Sequence, residues 1–260
     1  MESFTFYKYQ GTGNDFVIID NRQNIFSKKD AKSIKHLCDR RFGIGADGLI
    51  LLENHGSLDF KMVYYNADGN ESSMCGNGGR CISSFAKFLG LVENQTTFEA
   101  IDGAHVAKFL DDTIVSLKMS DVKNLSVLDT HIFTDTGSPH HVELTDNVDH
   151  VNIKEEGRYI RNNTYGSEGA NVNFVQPLGD NKFKVRTYER GVEDETLSCG
   201  TGVTAVALAM FHSQQTDKNQ VILETQGGAL QVSFEKDGVG YNHIWLTGPA
   251  VQVFKGTWSW

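Results

Sequence analysis

Residues 66–81 read Asn-Ala-Asp-Gly-Asn-Glu-Ser-Ser-Met-Cys-Gly-Asn-Gly-Gly-Arg-Cys, and residues 189–202 read Glu-Arg-Gly-Val-Glu-Asp-Glu-Thr-Leu-Ser-Cys-Gly-Thr-Gly. Each stretch is a polar loop that leads into Cys-Gly-x-Gly and then into an apolar run, Ile82–Leu89 in the first and Val203–Phe211 in the second. The apolar runs predict helices. Cys75 and Cys199 are therefore predicted to lie at helix N-termini.

A cysteine at a helix N-terminus lies beside backbone N–H groups that have no acceptor within the helix and beside the positive end of the helix dipole. Such surroundings lower a thiol pKa from about 8.5 to roughly 3.5–7.5. The same N–H groups bind carboxylates and phosphates. Buried, inert thiols are the alternative. We assign that role to Cys38 and Cys81, which lack the motif, and predict reactive thiols at Cys75 and Cys199.

Other motifs recur at the separation of the two cysteines, which are 124 positions apart. The recurring segments keep their order along the chain, and one more pair follows at a separation of 125. The pairs are Thr12-Gly13 with Thr136-Gly137, Gly45-Ala46-Asp47 with Gly169-Ala170-Asn171, Tyr64 with Tyr188, Asn66 with Arg190, and Glu99, Gly103-Ala104 with Glu224, Gly228-Ala229. This pattern predicts an internal duplication with one fold in each half.

The predicted fold class is α+β, with two structurally similar domains, each a curved and mostly antiparallel sheet around a central helix. The helix after Cys199 is apolar nearly all round, which is typical of a buried helix. We expect one domain at residues 1–120, carrying Cys75, and the other at residues 121–249, carrying Cys199. Residues 250–260 are expected to return to the first domain. Ligands commonly bind between domains, so the active site is predicted in the cleft between the two.

Composition limits the function classes. The 260 residues are 39% apolar and 22% charged, which is typical of a globular protein. The net charge is −9 and no Lys/Arg cluster is present, so binding to nucleic acid is not expected. No stretch approaches 18 apolar residues and the start does not resemble a signal peptide, so we expect no membrane span and a cytoplasmic location with free thiols. No lysine motif for a pyridoxal cofactor and no metal-ligand spacing is visible, so neither a cofactor nor a metal is expected.

Two cysteines on opposite sides of a bound molecule suit one reaction class, the movement of a proton from one face of a carbon to the other. One cysteine, as thiolate, would remove the proton, and the other, as thiol, would deliver a proton to the opposite face. A carboxylate held by two helix N-termini would take up the developing negative charge.

The sequence resembles the diaminopimelate epimerase family along essentially the whole chain. The segments that carry the resemblance are Gly13-Asn14-Asp15-Phe16, Asn66-Ala67-Asp68-Gly69, Cys75-Gly76-Asn77-Gly78-Gly79-Arg80-Cys81, Ser138-Pro139-His140, Glu189-Arg190-Gly191 and Cys199-Gly200-Thr201-Gly202. The resemblance implies a cofactor-independent, two-base interconversion of LL- and meso-2,6-diaminopimelate in lysine and peptidoglycan-precursor synthesis. It also implies a fold of two like α/β domains and, commonly, a homodimer.

The resemblance also implies roles for individual residues. Cys75 and Cys199 would be the two acid/base thiols, with His140 tuning the pKa of Cys75 and Glu189 that of Cys199. The carboxylate at the reacting carbon would be held by Gly76, Asn77, Gly200 and Thr201. The other polar groups of the substrate would be bound by Asn14, Asn66, Asn171, Glu189 and Arg190. Family members often have Asn in place of Ser138 and Gln in place of Gly48, and no ligand contact is assigned to Gly48.

Two alternatives remain open at the level of sequence. One is a related enzyme of the same architecture that acts on another substrate, such as a proline racemase or a carbon–carbon double-bond isomerase. The other is a duplicated module that binds carboxylates without catalysis. The loop between Gly191 and Cys199 is longer than usual for the family, and its acidic run, Glu193–Glu195, is expected to be a solvated surface feature.

Overall fold

The computed structural model describes residues 3–28, 30–72 and 74–259. The chain divides into two compact units, one formed by Met1–Leu117 and Gly248–Trp260 and the other by Lys118–Thr247. In chain order the elements are β1 (Ser3–Gly11), β2 (Asn14–Asp20), α1 (Ala31–Cys38), β3 (Gly48–Glu53), β4 (Phe60–Asn66), α2 (Gly76–Phe88), β5 (Gln95–Ala100), β6 (Gly103–Phe109), β7 (Ile114–Lys118), β8 (Ser126–Val127), β9 (Ile132–Asp135), β10 (Pro139–Leu144), a 3-10 turn (Val148–His150), α3 (Ile153–Asn163), β11 (Asn171–Gly179), β12 (Lys182–Glu189), β13 (Asp194–Thr196), α4 (Gly200–His212), β14 (Gln220–Thr225), β15 (Gly228–Asp237), β16 (Gly240–Pro249) and β17 (Val251–Ser259).

The first unit is a sheet with the strand order β17-β1-β2-β3-β4-β5-β6-β7. The pairs β2–β3 and β4–β5 are parallel, and the other pairs are antiparallel. The last strand of the chain lies beside the first, with Ser3 opposite Ser259 and Gln10 opposite Val251. Helix α2 contacts β1, β2, β3, β6 and β17. Because one helix reaches strands near both ends of the row, the sheet curves around it.

The central strands of this sheet are apolar on both faces because each face is covered. Strand β3, Gly-Leu-Ile-Leu-Leu-Glu, is buried along its whole length. Leu49 and Leu51 belong to the apolar cluster that includes Ile34 of α1, whereas the side chain of Ile50 lies near Gly78 of α2. Asp30 caps α1 by accepting a hydrogen bond from the Ser33 N–H at 3.0 Å. The helical spacing of Ala31, Ile34 and Leu37 in the sequence predicts this helix.

The second unit repeats this arrangement. Its strands follow the order β8-β9-β10-β11-β12-β14-β15-β16, with β13 paired to β12. Again two pairs are parallel, β10–β11 and β12–β14. Helix α4 is buried through most of its length and contacts β9, β10, β11, β12, β14 and β15. The apolar composition of α4 follows from that position, since every side of the helix meets the sheet or its loops.

The duplication is visible in the element bounds. Helices α2 and α4 each have 13 residues and begin 124 positions apart, and β5 and β14 each have 6 residues and begin 125 positions apart. The turn glycines Gly13 and Gly137 both have positive φ, 86° and 101°. The predicted α+β fold, duplicated and built from mostly antiparallel sheets around a central helix, is therefore confirmed.

Two features of the second unit were not predicted from the sequence. Helix α3 was not predicted, because its sequence, Ile-Lys-Glu-Glu-Gly-Arg-Tyr-Ile-Arg-Asn-Asn, has few apolar residues; Asn152 caps it through the Glu155 N–H. The acidic run was expected to be a solvated surface feature, and Glu193 is exposed there, but the ion pairs of the run were not predicted. Its three carboxylates form ion pairs, Glu193 with Arg161, Asp194 with Lys154 and Glu195 with Arg186.

In the part of the chain that the structure describes, no helix has the length and apolar character needed to cross a membrane.

Candidate active site

Cys75 and Cys199 hold the same position in the two units. Each is the N-cap residue of its helix, with extended backbone angles of φ −98° and ψ 132° for Cys75 and φ −123° and ψ 115° for Cys199. The first hydrogen bonds within the helices run to their carbonyl oxygens, from Gly79 N at 2.7 Å and from Val203 N at 2.9 Å. Both sulfurs therefore lie beside the first turn of a helix, as the sequence predicted.

The second glycine of each Cys-Gly-x-Gly motif allows the helix start to pack closely. A Cβ atom on Gly202 would lie 2.6 Å from Asn173 Oδ1 and 3.3 Å from Cys199 Sγ. At the equivalent Gly78, a Cβ atom would meet the Ile50 side chain at 3.2 Å. The motif thus combines a thiol, a helix N-terminus and a close approach of backbone that a larger residue would prevent.

In the first unit, Asn14 connects Cys75 to an ion-pair cluster. Asn14 Nδ2 donates to Asp47 Oδ2 at 2.7 Å, and because a carboxylate only accepts, Asn14 Oδ1 must face the other way. Cys75 Sγ donates to this oxygen at 3.5 Å, and Asn77 Nδ2 donates to it at 3.3 Å. One amide oxygen therefore joins the thiol to the first turn of α2.

The ion-pair cluster behind Asn14 is partly buried. Asp15 accepts hydrogen bonds from both terminal nitrogens of Arg40, at 2.7 and 2.9 Å, and forms an ion pair with Lys8 at 2.8 Å. Burial acts to raise the pKa of Asp15, but the hydrogen bonds from Arg40 and Lys8 outweigh it and lower the pKa to about 2. Arg40 also binds Asp47 Oδ1 at 2.7 Å. The cluster therefore fixes the carboxylate that orients Asn14.

In the second unit, Asn173 fixes the tautomer of His140. Asn173 Nδ2 donates to the backbone carbonyl oxygen of His141 at 2.9 Å, and its Oδ1 accepts from Thr187 Oγ1 at 3.0 Å. With its orientation set, Asn173 Nδ2 also donates to His140 Nδ1 at 3.2 Å. The proton of the neutral imidazole consequently lies on Nε2.

A chain of hydrogen bonds leads from His140 to Cys199. His140 Nε2 lies 3.0 Å from Thr201 Oγ1, so the imidazole donates to the hydroxyl. Thr201 Oγ1 lies 3.4 Å from Cys199 Sγ. Either atom can be the donor in the contact between the hydroxyl and the sulfur. Burial lowers the pKa of His140 to about 3, and the positive charge of Arg190 acts in the same direction, so the imidazole is neutral near pH 7.

Arg190 lies at the loop that leads from β12 towards Cys199. Its backbone N–H donates to Asn171 Oδ1 at 2.9 Å, and its Nη1 donates to the Glu168 carbonyl oxygen at 2.9 Å. Asn171 Nδ2 donates to Ser138 Oγ at 2.9 Å. Ser138 and Asn171 are the residues equivalent to Asn14 and Asp47 of the first unit. The hydrogen bond between Ser138 and Asn171 therefore corresponds to the one between Asn14 and Asp47.

The structure describes every residue proposed for the site. Within the first unit it joins Asn14, Cys75 and Asn77 by hydrogen bonds, whereas Asn66 is exposed at the end of β4. Within the second unit it joins one group through Cys199, Thr201 and His140 and another through Arg190, Asn171 and Ser138. Gly76 and Gly200 are the first residues of their helices, and Glu189 ends β12. The pairing of His140 with Cys75, that of Glu189 with Cys199, and all ligand contacts stay predictions.

Sequence reasoning missed the residues that orient the site. Asp47 could have been predicted as a site residue, because it lies 124 positions before Asn171, but no role was assigned to it. The indication for Asn173 was weaker, since it rests only on the position of Asn173 two residues after Asn171, on the same face of β11. Gly48 received no ligand role, and a Cβ atom there would lie 2.5 Å from the Tyr64 ring.

The duplicated fold is shared with several solved structures. A phenazine biosynthesis protein of the PhzF family from Bacillus anthracis aligns with a TM-score of 0.79 at 14% identity, covering 100% of both chains. A hydroxyproline epimerase from Agrobacterium vitis aligns with a TM-score of 0.69 at 15% identity, covering 98% of this chain and 92% of that one. At such identities the likeness shows the fold alone.

The sequence comparison identifies the family. A family model described as diaminopimelate epimerase matches residues 6–124 and 132–253. A diaminopimelate epimerase of Flavobacterium psychrophilum is 55% identical over 252 residues, which cover 96% of this chain and 98% of the relative. The chain belongs to the diaminopimelate epimerase family, and the resemblance inferred from the motifs is confirmed.

Proposed function

We propose that this protein is an isomerase that interconverts LL- and meso-2,6-diaminopimelate by cofactor-independent proton transfer at the α-carbon. Membership in the family supports the substrate and the reaction. The observation that carries the mechanism is the matched position of Cys75 and Cys199, each the N-cap of the central helix in its half of a duplicated fold. We further propose that the two compact units are the two domains and that substrate binds in the cleft between them.

In the proposed reaction, one cysteine thiolate removes the α-proton and becomes a thiol. The electron pair left on carbon is delocalised into the adjacent carboxylate as an enediolate. The other cysteine, a thiol at the start, gives its proton to the opposite face of the carbon and becomes a thiolate. Proton count and charge balance, and the enzyme ends with the two protonation states exchanged.

The helix N-termini stabilise the enediolate. Gly76 and Asn77 in α2, and Gly200 and Thr201 in α4, contribute first-turn N–H groups that would bind the carboxylate at the reacting carbon. Donors aimed at developing negative charge are commonly worth about 10²–10³-fold in rate each. Because these donors belong to helix backbones, they are already oriented before substrate binds.

The other residues would select a substrate with a second polar end. Arg190, held in place through its backbone and through Glu168, is proposed to bind the distal carboxylate, since a guanidinium matches a carboxylate with two hydrogen bonds. Asn14, Asn66, Asn171 and Glu189 are proposed to bind the remaining amino and carboxylate groups. A homodimer and a cytoplasmic location are further parts of the proposal.

The second candidate function is the racemisation of proline or a related small amino acid. The fold likeness to a hydroxyproline epimerase favours this candidate. Arg190 and three asparagines favour the longer substrate, because a proline-sized ligand has no distal carboxylate for them to bind. Turnover with diaminopimelate but not with proline decides between the two candidates.

The decisive experiment is incubation with LL-diaminopimelate in D₂O, followed by measurement of deuterium at the α-carbon and of the meso isomer. Wild-type protein should form the meso isomer with deuterium at the inverted carbon. A protein that only binds carboxylates would incorporate no deuterium, which would refute the proposed activity.

Cysteine variants test the two-thiol mechanism. Cys75→Ala and Cys199→Ala should each lower epimerisation by at least about 10²–10⁴-fold while substrate still binds. Each variant keeps one base, so each should exchange the α-proton of a different stereoisomer without inverting it. Cys38→Ala is the control, because burial raises the pKa of that thiol to about 12 and no role is assigned to it. Near wild-type epimerisation by either Cys75→Ala or Cys199→Ala would refute the mechanism.

A further inference from the structure

Arg80 is a buried positive charge in the helix that Cys75 caps. It lies in the second turn of α2, and its side chain is fully buried. Among the residues that the structure describes, no carboxylate lies within ion-pair distance of its guanidinium. Guanidinium groups stay protonated in proteins, so the charge persists there. A buried charge without a counter-charge is strongly unfavourable. Such a residue calls for an explanation.

The hydrogen bonds of Arg80 point to the start of α2. Nη2 donates to Asn77 Oδ1 at 3.0 Å, and Nη1 donates to the Gly76 carbonyl oxygen at 3.2 Å. Longer contacts reach Thr12 Oγ1 at 3.5 Å and the Pro249 carbonyl oxygen at 3.4 Å. All four acceptors are neutral, and two of them belong to the residues that follow Cys75.

The contact with Asn77 extends to the thiol. Because Asn77 Oδ1 accepts from Arg80, Asn77 Nδ2 is directed at Asn14 Oδ1, the atom to which Cys75 Sγ also donates. Burial acts to lower the pKa of Arg80, and negative charge on Cys81 or Cys75 acts in the opposite direction. Burial raises the pKa of Cys81 to about 12, so that thiol remains protonated near pH 7. Cys75 is then the thiol of this helix whose ionisation can balance the guanidinium.

The second unit provides an internal comparison, since it has no such charge. The residue 124 positions after Arg80 is Thr204, also fully buried, and its hydroxyl donates to the Gly200 carbonyl oxygen at 2.9 Å. Arg80 and Thr204 both donate a hydrogen bond to the carbonyl oxygen of the first residue of their helix, so both stabilise the helix start in the same way. A cation is not needed for that hydrogen bond, so the buried charge at this position distinguishes the first unit from the second.

We propose that Arg80 is a positioning residue that supplies the counter-charge for the Cys75 thiolate and holds Asn77 in the orientation that the first turn of α2 requires. This inference rests on the proposed function, because it concerns the step in which Cys75 carries negative charge. It assigns the two thiols unequal electrostatic surroundings, with a fixed cation at one and a neutral relay through Thr201 and His140 at the other.

Other charged groups lie on the elements packed around Cys75, and those other than Glu71 are paired. Asp47 reaches it through Asn14 and is bound by Arg40, while Arg40 and Lys8 also bind Asp15. On the turn between β5 and β6, the Asp102 carboxylate accepts a hydrogen bond from the Met74 N–H and pairs with His105 at 3.1 Å. Glu71 lies on the exposed part of the loop before Cys75.

The test measures ionisation of each thiol without substrate. Wild-type protein and Arg80→Met are alkylated with iodoacetamide between pH 5 and pH 10, and the rate at each cysteine is followed by peptide mass spectrometry. Loss of a nearby positive charge raises a thiol pKa by about one unit or more, so the pH profile of Cys75 alkylation should shift upward by about one unit, which slows alkylation roughly tenfold at pH values below the pKa of the wild-type thiol. Alkylation of Cys199 should change by less than about twofold.

Two further variants separate charge from structure. Arg80→Lys keeps the charge and should retain most of the Cys75 reactivity, whereas Arg80→Gln keeps a donor but removes the charge and should behave like Arg80→Met. If Arg80→Met does not fold, the inference is tested by comparing Arg80→Lys with Arg80→Gln. Thr204→Val is the matched control in α4 and should leave Cys75 unchanged.

Equal Cys75 profiles in folded Arg80→Gln and wild-type protein would overturn the inference, as would parallel slowing of Cys75 and Cys199. Because no substrate is used, a protein that fails to epimerise diaminopimelate but shows the Cys75 shift would refute the proposed function and leave the electrostatic role of Arg80 intact.

Discussion

The buried imidazole of His140 should make the folded protein lose stability in mild acid. Burial lowers its pKa to about 3 in the folded state, compared with its ordinary value of 6.5. Between these values the unfolded chain binds a proton that the folded protein does not. The contribution to stability is therefore complete above pH 6.5 and is lost progressively as the pH falls towards 3.

The size of the effect follows from the two pKa values. Each pH unit below 6.5 lowers the free energy of unfolding by about 1.4 kcal/mol until the folded-state pKa is reached. At pH 5 the loss through His140 alone is about 2 kcal/mol relative to pH 8. Solvent does not screen this effect, because the His140 side chain is fully buried between Thr201 and Asn173.

Urea denaturation at pH 8 and pH 5 measures this loss in wild-type protein and in His140→Gln. The variant is expected to be less stable at pH 8, but its free energy of unfolding should fall by about 2 kcal/mol less between the two pH values. Burial also lowers the pKa of His131, and this contribution cancels because both proteins contain it. His150→Gln, at an exposed histidine, is the control. Equal pH dependence in wild type and His140→Gln would show that the imidazole is protonated in the folded state, which contradicts the assigned tautomer.

Two other substitutions test the framework around the site. Arg186→Met removes two hydrogen bonds to Glu195, of 2.6 and 2.7 Å, and should lower the free energy of unfolding in urea by roughly 1–3 kcal/mol; a change below about 0.5 kcal/mol would mean that the pair is no stronger than a surface ion pair. Gly202→Ala places a methyl group 2.6 Å from Asn173 Oδ1 and should destabilise the protein by roughly 1–3 kcal/mol, whereas Gly78→Ala, which meets a flexible side chain at 3.2 Å, should be milder. Equal losses in the two alanine variants would contradict the packing argument.

The sequence allowed the prediction of the duplication and of both helix starts because these depend on local patterns. Cys-Gly-x-Gly followed by an apolar run is read over about a dozen residues, and helix bounds respond mainly to such local signals. Because the motifs recur at a constant separation, an element predicted in one half also predicts the equivalent element in the other half. This is why α2 and α4 begin where the motif places them.

The partners of the thiols could not be predicted in the same way. Cys75 meets Asn14 because β2 and α2 pack together, and these residues are 61 positions apart. His140 meets Asn173 because β10 and β11 pair in parallel with His140 opposite Asn171, which puts Asn173 one pleat further along the same face. Strand register is a property of the assembled sheet, and periodicity in one strand does not encode it.

The duplication explains the backbone around both thiols, whereas the proposed chemistry depends on where the copies differ. A proton transfer between two cysteines needs one thiolate and one thiol at the same moment, so two identical surroundings would favour neither state. At positions related by the 124-residue separation, Phe16 corresponds to His140, Leu49 to Asn173, and Arg80 to Thr204. Each difference places a polar or charged group beside one thiol only.

The residues that differ between the two copies also have different structural requirements. A neutral histidine relay needs several buried partners, and the second unit provides them on β10, β11 and β12. The first unit keeps the apolar side chains of Phe16 and Leu49 at the equivalent strand positions and carries the Arg80 charge on the helix instead. Exchanging Arg80 and Thr204 together should therefore not exchange the properties of the two thiols, because the apolar strands of the first unit supply no relay to replace the lost charge. A double variant in which Cys75 gained the alkylation profile of Cys199 would refute this reasoning.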